Sequence, residues 1–391
     1  MTPRCYGLAR ADSILDRLDA ELGRIGLVGA VAPTAKLIYL ATVSRLLERP
    51  VSVVVKAPSG AGKSWVVKQA LAFFPASAYH ALTAMSEHAL VYDDTPLVHR
   101  MLLVYEADGV SGELASALLR TLLSEGRIRY VTVEKTKDGM RPKTIDRPGP
   151  TGLITTTTAL KLHPENETRL LSVTVPDTQE QTRSVMDAWG LAAAGEEPDP
   201  VDFEPWHELQ DWLEGGPCDA VVPYGPELAS LMPPTAVRLR RDFIAVLTLV
   251  RAHALLHRAT RELDGQGRVE ATLADYEAVR ELVGPLIAAG VSSSVKPETR
   301  QTVEAIRALG GKRSDNLLGE PATVMNDEVA RHLGLDKSSA SRRIGDAIDQ
   351  GYIVNLESYR GRPARLVLGD PLPDDVPILP TAQAVRAGHA G

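Results

Sequence analysis

VSVVVKAPSGAGKSW, residues Val51 to Trp65, carries a valine-rich run straight into a glycine-rich turn that ends in Gly-Lys-Ser. Val51 and Val53 to Val55 read as a buried strand, and an amphipathic helix is expected from Trp65 to Phe74. Strand, glycine turn and helix in that order make a phosphate-binding loop. Backbone N–H groups of Pro58 to Gly62 (except the proline's own) can turn inward around a phosphate, and a helix N-terminus adds a positive field. Lys63 supplies a point charge for β- and γ-phosphates, and the Ser64 hydroxyl can ligate Mg²⁺. Pro58, Ser59, Gly60, Ala61, Gly62, Lys63, Ser64 and Trp65 are therefore the candidate ATP contacts. A glycine-rich turn containing Gly-Lys-Ser by chance is the bland alternative, and it does not need the flanking strand and helix.

The composition sets bounds. The chain has 391 residues, room for two or three domains, with 44% hydrophobic and 24% charged residues. A net charge of −7 means that any nucleic-acid surface must be a local basic patch. Aromatic residues are 5% of the chain, which leaves little for base-stacking platforms. Cys5 and Cys218 stand far apart in no ligand spacing, so a reduced, cytoplasmic protein is expected. No apolar run reaches membrane-spanning length and no signal-peptide core opens the chain.

Ahead of the loop, residues 1–30 give a helix from the spacing of Ile14, Leu15, Leu18 and Leu22. A second, amphipathic helix is expected from Pro33 to about Glu48, with Leu37, Leu40, Val43 and Leu47 on one face. Behind the loop, Met101-Leu-Leu-Val-Tyr-Glu106 reads as a buried strand with a carboxylate at its end, beside the phosphate loop. Glu106 is placed to polarise a water and to share in holding a metal. Asp108 is an auxiliary candidate, and a surface acid ending a strand is the alternative. Ile128–Val133 and Arg141–Asp146 read as the arms of a hairpin around Asp138-Gly139. Lys135, Lys137, Arg141 and Lys143 crowd its tip, which suits phosphate contacts on DNA. They suit equally a solvated hairpin.

Thr151–Thr158 is a buried strand ending in hydroxyls, with Thr156 and Thr157 as candidates to touch a γ-phosphate or orient water. β-Propensity alone also explains threonines there. Arg169 stands where a helix end meets the last strand, either to reach a neighbouring subunit's γ-phosphate or to pair with a nearby glutamate.

This order of strand, phosphate loop, acid-ended strand, basic hairpin, hydroxyl-ended strand and arginine resembles the AAA+ ATPase core. The branch it resembles carries a β-hairpin before the sensor-one strand, as in the MCM and superfamily-three helicases. SRLLERP (44–50), the TTTT strand and HPENETR also resemble ATPase modules of mobile-element primase-helicases. The resemblance covers roughly residues 30–290. It implies a core over 31–190, a helical lid within 191–294, and Arg240 or Arg241 as a sensor-two contact; residues 190–220, rich in Ala, Gly, Glu, Pro and Asp, read as the linker to that lid, with a short helix around Trp206–Leu213. Tyr105 stands where that family's metal-ligating Asp would be.

Residues 302–369 read as a separate winged helix-turn-helix, with helices over Asn326–Leu333 and Ser338–Gln350 and a strand pair around a basic turn. Lys337, Ser338, Ser339, Ser341, Arg342 and Arg343, with Arg360 and Arg362 on the wing, are candidate DNA contacts. Residues 370–391 are expected to be a disordered tail. The expectation is an α/β protein: a DNA-binding, Mg²⁺-dependent ATPase that assembles into a homo-oligomeric ring and works in replication as a helicase or its loader. An ATP-switched regulator without unwinding activity is the alternative. A metabolic kinase is disfavoured by the winged helix and the absence of an acceptor site.

Overall fold

Five strands form a parallel sheet in the computed structural model of the chain: β1 (Val53–Lys56), β2 (Tyr79–Leu82), β3 (Arg100–Val104), β6 (Thr151–Thr157) and β7 (Leu171–Thr174). Their order is β2-β3-β6-β1-β7. Between β3 and β6 the chain makes the antiparallel hairpin β4 (Arg127–Thr136) and β5 (Gly139–Pro148). The structure describes residues 3–389 apart from positions 28, 84–85, 107–112, 137–138, 159–168, 177, 197–199, 234–237, 293–294, 312–321, 358, 360–361 and 373–377. The expected α/β class with a parallel sheet is what the sequence folds into. Every residue of β1 and β6 is buried, as a sheet covered on both faces requires.

The chain divides into two compact units. The first holds Met1–Leu231, Arg241–Leu286 and Thr381–Gly391. Its helix Ala32–Val43 is shorter than expected and not amphipathic: all but Pro33 and Lys36 are buried. It is a central helix, and its Tyr39 anchors an aromatic cluster. The Tyr39 ring lies 4.8 Å from Phe74 and 5.8 Å from Trp206, and Phe73 lies 5.1 Å from Trp206. Trp206 belongs to the helix Glu204–Glu214, so this part of the expected linker is core. Trp206, Leu209 and Leu213 repeat at helical spacing and are all buried, and that stripe outweighs the polar composition around it. The expected disordered tail also differs. Ala382–His389 is a helix that packs against Gly225–Leu231, with Ile378, Leu379 and Val385 buried. Neither Cys5 nor Cys218 is in a disulfide.

The helices Leu239–Leu256 and Leu273–Ser292 carry a buried polar network. The run Thr272-Leu-Ala-Asp275 ahead of the second reads as a capping box, and the Thr272 N–H and hydroxyl donate to Asp275 Oδ2 at 2.7 and 2.8 Å. Asp275 is also hydrogen-bonded to His253 Nδ1 at 2.7 Å and accepts from Arg261 at 2.6 and 2.9 Å. Burial alone would raise its carboxyl, but these hydrogen bonds hold it well below the usual range. The His257 ring lies against His253, tilted by 31° with ring centroids 4.6 Å apart, and its Nε2 has no hydrogen-bond partner among the described residues. Burial, then the charges of His253 and Arg261, push its pKa down to about 3.

The second unit holds Met232–Arg240 and Ile287–Pro380. Three helices, Pro297–Gly310, Asn326–Leu333 and Lys337–Asp349, pack with an antiparallel pair, Ile353–Asn355 and Leu366–Leu368. Gly334, at φ 65°, makes the tight turn between the last two helices. Val303, Ile306, Val329, Ile344, Tyr352 and Leu366 are its core.

The His257 geometry sets a pH dependence. The folded chain excludes a proton that a free imidazole, with a pKa of about 6.5, takes up. Stability should therefore fall as pH drops from about 6.5 towards about 3, by about 2 kcal/mol at pH 5. Melting curves at pH 7.5 and pH 5 should show this loss, and His257→Gln should remove much of it. An unchanged pH slope in His257→Gln would contradict the assignment.

Candidate functional site

The loop leaves β1 at the C-terminal end of the sheet. Lys56 pairs in register with Thr157, and Ala57 N–H donates to the Thr157 carbonyl at 3.3 Å. Gly60 and Gly62 have φ of 84° and 77°, which L side chains rarely adopt. A Cβ at either would meet nothing within 4 Å, so the backbone conformation and not crowding calls for glycine there. Lys63 begins the helix Lys63–Leu71, two residues earlier than a reading from Trp65 suggests. It is buried, and its Nζ donates to the Ala57 and Pro58 carbonyls at 2.9 and 2.8 Å. Pro58, Ser59, Gly60, Gly62, Ser64 and Trp65 are exposed, with Ala61 half-buried. The Trp65 indole reaches over Gly26, whose missing Cβ would lie 3.9 Å from it.

An open cradle, an ammonium beside it and a helix N-terminus behind it fit a chain of phosphates. Among the described residues no group of three or more His, Cys, Asp or Glu is placed to hold a metal. The exposed Ser64 hydroxyl therefore suits Mg²⁺ held jointly with phosphate oxygens and water, not an all-protein cage.

The acid-ended strand does not flank the loop strand. β6 lies between β3 and β1, with Val104 opposite Thr155 and Val55 opposite Thr156. Glu106, at the end of β3, is thus separated from the loop strand by β6. Its carboxylate is exposed and its backbone has φ 66°. Its N–H donates to the buried Thr156 hydroxyl at 3.0 Å. Thr157 is buried on the other face of β6, next to Lys56. Tyr105 donates its N–H to the Leu82 carbonyl, and burial raises its phenol. Asp108 lies outside the described residues.

The arginines gather at the opposite end of the strands. Arg169 and Arg241 line a cavity of about 270 Å³ together with Arg49, Ser52, Ser124 and Thr248. Leu170 and Leu171, where β7 begins, line it too, so it sits at the N-terminal end of the sheet. Arg169 bonds to the Ser124 hydroxyl and to the Arg120 carbonyl, closing the end of the helix Glu113–Glu125. It pairs with no glutamate in the described contacts. Arg49 was not singled out by sequence. An exposed arginine before a proline gives no local signal, and only the fold brings it to Arg169. Arg240 is exposed in the first turn of Leu239–Leu256.

Alternation sorts the hairpin into two faces. Ile128, Tyr130 and Ile145 pack against the core, and Lys143 on that face pairs with Glu134 at 3.3 Å. The other face carries Lys135 opposite Met140, with Val131 and Val133. All four are exposed, and the apolar residues among them were missed by the sequence reading. Lys137 lies outside the described residues. In the second unit, Asp336 caps Lys337–Asp349 by accepting from Ser338 and Ser339 N–H, both at 2.9 Å. Lys337 pairs with Asp327 at 3.2 Å, Ser341 and Arg342 are exposed, and Arg343 turns to Gln301. Arg362 lies over the Tyr359 ring, and Arg360 is outside the described residues.

No protein-family model and no curated protein sequence matches the chain. Two solved structures are similar at 13% identity. One is the Aeropyrum pernix ORC1 protein in complex with DNA, with 94% of this chain and 96% of that one covered at a TM-score of 0.27. The other is the SCCmec type IV Cch active helicase, with 85% and 67% covered at a TM-score of 0.37. At such TM-scores neither carries an argument about this chain. No helix among the described residues is long and apolar enough to cross a membrane.

Lys63→Ala removes the ammonium held at the Ala57 and Pro58 carbonyls. It should weaken ATP binding at least tenfold and abolish most turnover, read by titration calorimetry and phosphate release. Unchanged binding and turnover would contradict the site.

Proposed function

We propose that this chain is an AAA+-type ATPase that works on DNA as a helicase or helicase loader in replication of a mobile element. The observation that carries the reading is the phosphate loop with Lys63 beside its open cradle and Glu106 presented across β6. Mg²⁺-ATP, when bound, supplies the phosphoryl group that passes to water. Lys63 would exchange its two carbonyl partners for phosphate oxygens, and Ser64 would turn its hydroxyl to the metal. Glu106 would orient the attacking water and accept its proton. Thr157, beside Lys56, would border the γ-phosphate.

Arg169 and Arg241 line the end of the sheet opposite to their own loop. That placement supports a role towards the nucleotide of a neighbouring copy, and hence a homo-oligomeric ring with ATP between subunits. The exposed Lys135 face of the hairpin suits a DNA strand, and Lys337 and Arg342 at the start of an exposed helix suit duplex phosphates. A winged-helix module fits the helices and strand pair of the second unit. The protein would work in the cytoplasm.

A regulator that ATP merely switches is favoured by one observation. Tyr105, half-buried, occupies the position from which an Asp would hold the metal. Strand displacement on a forked duplex separates the two: a motor unwinds it, and a switch binds it unopened.

The DNA reading is tested by two single changes. Lys135→Ala should lose DNA stimulation of phosphate release while keeping most duplex affinity. Arg342→Ala should weaken duplex binding several-fold, lower its salt dependence by about one counterion and keep basal turnover. Wild-type behaviour of both in anisotropy and ATPase assays would contradict these two surfaces as the DNA contacts.

A further inference from the structure

We infer that Thr156 is a positioning residue that latches the Glu106 backbone, so that the central strand of the sheet holds the carboxylate over the cradle. The inference rests on the ATPase reading above. Two independent features of the structure point to it.

The first is backbone strain. Glu106 has φ 66°, and among the described residues His99 is the only other non-glycine with positive φ. The left-handed region is costly for a residue with a Cβ, and such outliers persist only where surroundings enforce them. The second is what enforces it. The β3–β6 ladder ends with Val104 opposite Thr155, and Tyr105 turns its N–H to Leu82 on the other side. Glu106 is thus the residue at which β3 leaves the sheet. Its N–H finds no strand carbonyl but the Thr156 hydroxyl, at 3.0 Å.

Thr156 suits this task. It is fully buried in β6, opposite Val55 of β1, and its β-branched side chain has little rotamer freedom. Its hydroxyl oxygen faces the Glu106 amide, so the hydroxyl acts on the carboxylate through the backbone and need not touch phosphate. Thr155 and Thr157 point to the other face of the sheet. Thr155 is also buried, and its hydroxyl has no hydrogen-bond partner among the described residues. It is a built-in control for packing. Without the latch, Glu106 relaxes towards the extended region and its Cα–Cβ bond swings away. ATP would then still bind, but water would lack an oriented base.

The test uses the full chain as Thr156→Val, Thr156→Ser and Thr155→Val. Thr156→Val keeps shape and loses the acceptor; Thr156→Ser keeps the acceptor. Melting curves show whether each is folded. Thr156→Val should bind ATP within twofold of wild type and lose at least twentyfold in kcat. Hydrogen exchange of the Glu106 amide, without nucleotide, should speed up at least tenfold. Thr156→Ser should restore both readouts to within about threefold, and Thr155→Val should match wild type. Wild-type kcat in Thr156→Val, with Lys63→Ala inactive, would overturn the latch and leave the ATPase reading standing. Equal losses in Thr155→Val and Thr156→Val would also overturn it, because the effect would then be strand packing. If Thr156→Val does not fold, unaltered Glu106 exchange in Thr156→Ser supports the latch, and exchange as fast as in an unprotected amide overturns it. A wild-type chain that neither binds nor hydrolyses ATP removes the ATPase reading itself.

Discussion

The pairing of β6 between β1 and β3 is the contact on which the rest of the site depends. Lys56 stands opposite Thr157, and Val104 opposite Thr155, so three strands end at nearly one level. The phosphate loop, the threonine hydroxyls and Glu106 are delivered there together. All seven residues of β6 are buried, which fixes the register: a slip by one would send every side chain to the wrong face. Sequence-distant groups become hydrogen-bonding neighbours through this strand. Glu106 and Thr156 are 50 positions apart and share a hydrogen bond.

The two ends of the sheet differ in chemistry. The C-terminal end offers backbone N–H groups, Lys63 and an acid. The N-terminal end offers Arg49, Arg169 and Arg241 around one cavity. A parallel sheet makes this polarity unavoidable, because every strand end carrying the loop side has its start on the other. An account in which one chain supplies a phosphate cradle and its neighbour supplies arginines needs no further rearrangement of the fold. Arg169 already has a structural duty, since it closes the end of Glu113–Glu125. That duty fixes the guanidinium in place, so its neighbours in the cavity are set before any partner arrives.

Local chemistry was legible in the sequence and nonlocal placement was not. Gly60, Gly62, Lys63 and Ser64 declare the loop because the turn and the helix start are written in consecutive residues. The Asp-Gly pair declared the hairpin, and Thr272 with Asp275 declared a helix start. Strand order cannot be read that way, so Glu106 was expected beside the loop strand when β6 intervenes. Which of Thr156 and Thr157 does what depends on a strand face, and that is set by pairing with β1. The helix Ala32–Val43 read as amphipathic because Leu37, Leu40 and Val43 share a face. Burial from all sides follows from neighbours that lie far along the chain, Trp206 among them. The short helix around Trp206–Leu213 was legible from its spacing, but its burial was not, because its flanks are rich in Pro, Gly and acids and read as linker. Ile378, Leu379 and Val385 are too few to announce a packed segment until the surface they cover is known.

The central claim is that the cradle between β1 and Lys63–Leu71 recognises the phosphate chain of a nucleotide. Titration calorimetry of the wild-type chain with ATP, ADP and adenosine in Mg²⁺ buffer tests it most directly. The account predicts micromolar binding of ATP and ADP and none of adenosine. Equal binding of adenosine and ADP, or no heat from any of the three at millimolar concentration, would contradict it.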